Sequence, residues 1–226
     1  MKTLPIIFAL ITAAMPVVTQ KTGLSQKYGF PLKMLCVLLY LLTGVISAFS
    51  FSSLTSFTVM ILAALGFGAF GDFFLEFSGK RYFSLGVVFF ALGHIVYSCT
   101  FMFVGSTRAL PYGAEVVALT AALSLAMIIF AKSKLKLTGK KRLLLAYAPI
   151  LIFAFASAAF KAVAAFRADN LHLGLCIISG GALFLVSDIM IGIDKGGIKR
   201  PDFLHNAVSY TYFAAQALFA LSIYFQ

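Results

Sequence analysis

Acidic residues are scarce in this chain, and the scarcity is informative. Only seven of its 226 residues are Asp or Glu against 18 Lys or Arg, and charged residues of both signs make up 11%. A soluble domain of this size needs far more polar surface to face water, so that class is excluded. The motifs of soluble hydrolases are also missing: there is no G-x-S-x-G elbow, no H-E-x-x-H pair and no Gly-rich phosphate loop. The Cys/His spacing of a metal framework is absent too, and no metal or other cofactor is expected. The alternative, a metal held by Asp72, Asp188 and His94, needs ligands from three separate segments. Cys36, Cys99 and Cys176 lie inside apolar runs without paired spacing, and read as small core residues.

What the chain does have is apolar length. It is 62% hydrophobic, with a mean hydropathy of +1.01, and long apolar runs recur to its end. In lipid, backbone polar groups are satisfied only in helices or closed barrels, and runs of ~20 residues fit helices. The expected fold is all-α, a polytopic transmembrane helical bundle of about eight spans forming one membrane domain over residues 1–226. The spans fall near 4–19, 31–49, 54–75, 82–104, 109–131, 143–160, 171–193 and 203–225. The first and sixth are short.

A net charge of +11 would point to nucleic acid in a soluble protein. Here the charge sorts by loop instead. One side of the bilayer collects Lys21, Lys27, Lys33, Lys80, Arg81, the run "KSKLKLTGKKR" and Lys195, Lys199 and Arg200; the other has only Lys2, Arg108, Lys161 and Arg167. The positive-inside rule places the basic loops in the cytoplasm and both termini outside, as in a multi-pass protein of the bacterial inner membrane. Cleaving the first span as a signal peptide would invert this balance, so that span is expected to be retained. The partner is the lipid bilayer, not nucleic acid. The run "KSKLKLTGKKR" is a topology anchor that also suits anionic headgroups.

Against this background, Asp72 in "GFGAFGDFFLEF" and Asp188 in "GGALFLVSDIMIGID" stand out. A charged, unpaired carboxylate at membrane depth is costly, which makes each a functional candidate. Both fall a few residues from the cytoplasmic ends of their spans, at similar depth. Glu76 lies one turn beyond Asp72 on the same face, where an interfacial position also accounts for it. His94 and Tyr97 are an i, i+3 pair in the fourth span. In the last, His205, Ser209, Tyr212 and Gln216 form a polar stripe, with Asn206 and Tyr210 beside it. Such stripes glue helices together or line cavities. Gly66, Gly68, Gly71, Gly86, Gly93, Gly180 and Gly181 suit close helix approach.

Four ordered blocks, "LGFGAFGDFFLE", "SLGVVFFALGHIVY", "GGALFLVSDIMIGID" and "SYTYFAAQALFA", resemble the motifs of the YhhN-like lysoplasmalogenase family. The family opens its second span on a Lys-Pro pair, whereas here Lys33 stands two residues after Pro31. The resemblance implies a membrane hydrolase that cleaves the vinyl-ether bond of a lysophospholipid substrate, giving a fatty aldehyde and a glycerophospho-alcohol. Vinyl ethers hydrolyse by protonation at the β-carbon and capture of an oxocarbenium-like cation by water. That asks for one protonated carboxyl and one carboxylate, as in glycosidases. Asp72 and Asp188 are the catalytic candidates. His94, Tyr97, Tyr210, Tyr212 and Gln216 are candidates to orient substrate or water, and Lys33 to hold the phosphate. The alternatives are a proton-coupled membrane transporter using the same acids, and a scaffold in which they only join helices.

Overall fold

An apolar run in lipid has no hydrogen-bonding partner but its own backbone, so it coils. The computed structural model describes residues 3–50, 54–105, 112–134, 140–195 and 202–226, with the side chains of 25–26, 130–141 and 193–205 outside that description. Among the described residues every regular element is helical: α1 (Leu4–Lys21), α2 (Leu24–Lys27), α3 (Gly29–Ala48), α4 (Ser56–Leu75), α5 (Lys80–Phe103), α6 (Gly113–Lys134), α7 (Lys140–Arg167), α8 (Leu171–Lys195) and α9 (Asp202–Ser222). By length and composition six are apolar enough to cross a membrane: α1, α3, α4, α5, α7 and α8. The protein is an integral, multi-pass helical bundle. Of the eight expected spans, the fifth has a shorter apolar stretch, Gly113–Ile129, and the last carries the polar stripe.

The sixth span needs correcting. Expected to be short and to end at residue 160, it is a 28-residue helix that continues to Arg167. Lys161, assigned to a loop from its charge, therefore lies inside α7, and only 4% of it is exposed. Its Nζ donates to the Val104 carbonyl at 2.6 Å, so the long side chain has a polar terminus to reach. The charge asymmetry between the two ends stands without it. The lysine-rich run at 132–142, Lys195, Lys199 and Arg200 lie outside the described side chains except for Arg142.

Neighbours in the bundle close a circuit: α1 packs on α3, α3 on α4, α4 on α5, α5 on α7, α7 on α8, α8 on α9 and α9 back on α1. α9 also touches α3 and α4, and α6 leans on α7. Local signals fix where helices begin. Thr55 accepts from the Thr58 N–H at 3.1 Å to start α4. Asp169, at φ 55°, turns the chain out of α7, and Asn170 Oδ1 caps α8 through the Leu173 N–H at 3.1 Å.

A glycine-lined seam joins α4 and α5. A Cβ placed on Gly86 would meet Leu75 Cδ2 at 2.6 Å and the Gly71 carbonyl at 3.3 Å, whereas one on Gly66 meets nothing within 4 Å. Without lipid-driven attraction between helices, such contact supplies the packing. Gly86→Val should lower stability by about 1–3 kcal/mol through overpacking. Gly66→Ala should leave the melting temperature of the detergent-solubilised protein unchanged or raised.

Candidate active site

Asp72 and Asp188 each present a carboxylate to tyrosine hydroxyls from other helices. Asp72, buried on α4, accepts from Tyr212 of α9 at 2.5 Å and from Tyr40 of α3 at 3.4 Å. Its other oxygen lies 3.6 Å from Lys33 Nζ. That ammonium also pairs with Glu76 Oε1 at 2.7 Å and lies 3.4 Å from the Asp72 backbone carbonyl. The i, i+4 spacing of Asp72 and Glu76 lets one cation from α3 serve both.

Tyr212 is itself held. Gln216, one turn along α9, donates from Nε2 to the Tyr212 oxygen at 2.9 Å, and Tyr97 of α5 donates to Gln216 Oε1 at 3.0 Å. An unbroken chain Tyr97–Gln216–Tyr212–Asp72 thus crosses the bundle. Gly68 is what admits it: a Cβ there would sit 2.5 Å from Gln216 Nε2.

Asp188, on α8, is approached differently. Tyr147 of α7 donates to its Oδ2 in a short hydrogen bond, and His94 Nε2 of α5 lies 3.7 Å from the same oxygen. His94 Nδ1 is 2.9 Å from the Phe90 carbonyl. A carbonyl can only accept, so that nitrogen carries a proton, and in the neutral ring Nε2 then turns a lone pair toward Asp188. Two facing acceptors repel; a proton held on Asp188 or on Nε2 makes the contact attractive. Ser187, just before Asp188, ties α8 to α9 through the Val208 carbonyl at 3.2 Å.

The two halves share a wall. Phe184 packs edge-on against His94, with centroids 4.5 Å apart, and against Tyr212 at 5.4 Å. Beside Phe184, His94 and Tyr97 border a cavity of about 10 Å³, a volume that suits a single water. On the other side of Asp72, a cleft of about 490 Å³ opens toward the basic end, bordered by Gln20, Lys33, Cys36, Glu76, Asn206 and Ser209.

Of the candidates read from sequence, Asp72, Asp188, His94, Tyr97, Tyr212, Gln216 and Lys33 come together here. Tyr210 does not. Two positions from Tyr212 on a helix, it faces away from it, and it makes no hydrogen bond or ring contact with the cluster among the described residues. The His205 side chain lies outside the described residues. Tyr40 and Tyr147 were missed. A lone tyrosine in an apolar run carries no local signal, and their partners lie 32 and 41 residues away. Among the described residues no group of three His, Cys, Asp or Glu is placed to hold a metal ion, and all three cysteines are free.

Tyr212→Phe leaves an Asp72 oxygen and the Gln216 amide short of a partner. It should cost about 1–3 kcal/mol, whereas Tyr210→Phe should stay within about 0.5 kcal/mol of wild type, both read from unfolding in mild detergent.

No curated protein and no solved structure matches the chain. The model of the YhhN family matches residues 26–223, from just before α3 through the last turn of α9, and includes every residue gathered around Asp72 and Asp188. The chain belongs to the YhhN family.

Proposed function

We propose that this protein is a lysoplasmalogenase, hydrolysing the vinyl-ether bond of a lysoplasmenyl phospholipid to a fatty aldehyde and a glycerophospho-alcohol. The observation that carries the reading is the pair of carboxylates on either side of Phe184, Asp72 buried and Asp188 largely so, each held by tyrosine. A reaction that needs one proton donor and one anion, screened from bulk water, suits that arrangement.

The surroundings divide the labour. Asp188 faces the His94 lone pair and carries the proton; Asp72, beside the Lys33 ammonium and two hydroxyl donors, is the carboxylate. The alkene π electrons take the Asp188 proton at the β-carbon, and the ether oxygen shares the cation left on the α-carbon. Asp72 stabilises that cation and accepts a proton from the attacking water. The resulting hemiacetal passes its hydroxyl proton to the glycerol oxygen as that C–O bond breaks, so the alcohol leaves and the aldehyde forms, with the proton taken from water still on Asp72. The proton returns to Asp188, so the cycle consumes water alone. His94 and Tyr97, beside the 10 Å³ cavity, orient the water. Lys33, where the cleft meets Asp72, attracts the phosphate, with Asn206 and Ser209 as neutral donors around it.

The same reading orients the molecule with the basic end and its cleft in the cytoplasm and both termini outside, in a bacterial inner membrane.

The experiment is aldehyde release by the purified protein from a lysoplasmenyl lipid and from its saturated ether analogue. Wild type should release aldehyde only from the first. Asp72→Asn and Asp188→Asn should each lose about 10²–10⁴-fold in rate while eluting as the same monodisperse species. Full activity in either variant would contradict the assignment.

A further inference from the structure

Far from the Lys33 cleft, the opposite end of the bundle holds a second cavity of about 460 Å³, bordered by Thr55, Phe57, Val104, Lys161, Ala165 and Leu173. Its walls come from the start of α4, the end of α5, the last turns of α7 and the start of α8. None of these residues takes part in the cluster around Asp72 and Asp188.

Lys161 is the unusual member. It is only 4% exposed, and its Nζ sits 5.5 Å from the centre of the Phe57 ring. Among the described residues no carboxylate lies within ion-pair distance of it. Of the chain's seven acids, Asp72, Glu76 and Asp188 are engaged at the other site, Glu115 and Asp169 are exposed, and the side chains of Asp194 and Asp202 lie outside the described residues. A buried cation without a counter-ion is costly in an apolar setting, where such residues mark binding sites.

Apart from the exposed Ser56, the other polar side chains around the cavity are committed. Asn170 donates from Nδ2 to the Phe225 carbonyl at 2.7 Å, and its Oδ1 caps α8. The Gln226 amide accepts from Thr55 Oγ1 and donates to Thr58 Oγ1, both at 2.6 Å. An ammonium has three N–H donors, and the Val104 carbonyl takes one. Gly105, at φ 77°, keeps the space beside the others open, since a Cβ there would stand 3.1 Å from Nζ.

We propose that this cavity is a second ligand site, distinct from the one at Asp72 and Asp188. It takes a single-chain amphiphile whose one anionic head, phosphate or carboxylate, pairs with Lys161 while its tail lies along Phe57, Ala165 and Leu173. The two heads have different sources, a phospholipid or a free fatty acid, and the probes below separate them.

The test is calorimetric titration of the purified full chain in a non-ionic detergent with dodecyl phosphate, laurate and dodecanol. At least one anionic probe should bind saturably, and dodecanol at least about tenfold more weakly. Saturation by dodecyl phosphate alone identifies a phospholipid head, by laurate alone a fatty carboxylate, and by both a site that reads only the single charge. Lys161→Arg should retain binding, and Lys161→Met should lose it by about tenfold or more. Ser56→Trp fills the cavity mouth from an exposed position without touching the Lys161–Val104 contact, and should abolish binding even if Lys161→Met fails to fold. Equal affinity for dodecanol, unchanged binding in Ser56→Trp or in folded Lys161→Met, or no binding of either anion by wild type would overturn the site.

Discussion

Burying two carboxylates in an apolar bundle is the constraint on which the rest of the structure turns. Each carboxylate must find donors within the protein, away from bulk water. Those donors come from helices distant in sequence: Tyr212 and Tyr40 for Asp72, Tyr147 for Asp188. The α4–α5 glycine seam, the Gly68 notch for Gln216 and the Ser187 tether from α8 to α9 hold those donors in place. Packing and electrostatics are therefore one problem here. A methyl group in the wrong place displaces a hydrogen bond as well as a helix.

The polarity of the two ends follows from the same logic. Lys33 lies where α3 begins, near enough to the basic end to keep about a quarter of its side chain exposed, yet within ion-pair distance of Asp72. It links the open cleft to the buried carboxylate. On the far side of Asp72, Tyr212, Gln216 and Tyr97 extend the hydrogen-bonded chain toward the small cavity near His94. The interior thus has a charged approach and a ring-lined back with room for a single water, a gradient that suits an amphiphile whose head stays near bulk water while its reactive bond moves inward.

Much of this was legible in the sequence, because acids are rare in apolar runs and each one is therefore conspicuous. Asp72, Asp188, His94 with Tyr97, and the α9 residues Tyr212 and Gln216 could be singled out by residue type and helical spacing alone. Tyr40 and Tyr147 could not. Tyrosine is ordinary in a membrane helix, and only the three-dimensional packing shows which hydroxyl meets a carboxylate. Tyr210 stands apart from the cluster for the converse reason: it is polar and adjacent, but helical geometry turns it away from Tyr212. Lys161 misled because a charge conventionally ends an apolar run, while a flexible side chain and one backbone carbonyl let α7 continue past it.

The central claim is that one interior space brings both carboxylates to bear on the same lipid. The most direct measurement is an experimental structure with a saturated-ether lysophospholipid bound in place of the cleavable lipid. The account predicts the phosphate in the cleft beside Lys33, and the carbon corresponding to the alkene β-carbon facing Asp188, with Asp72 on the opposite side of the ether linkage. A lipid lodged on the outer surface of the bundle, or one that reaches only one of the two aspartates, would contradict it.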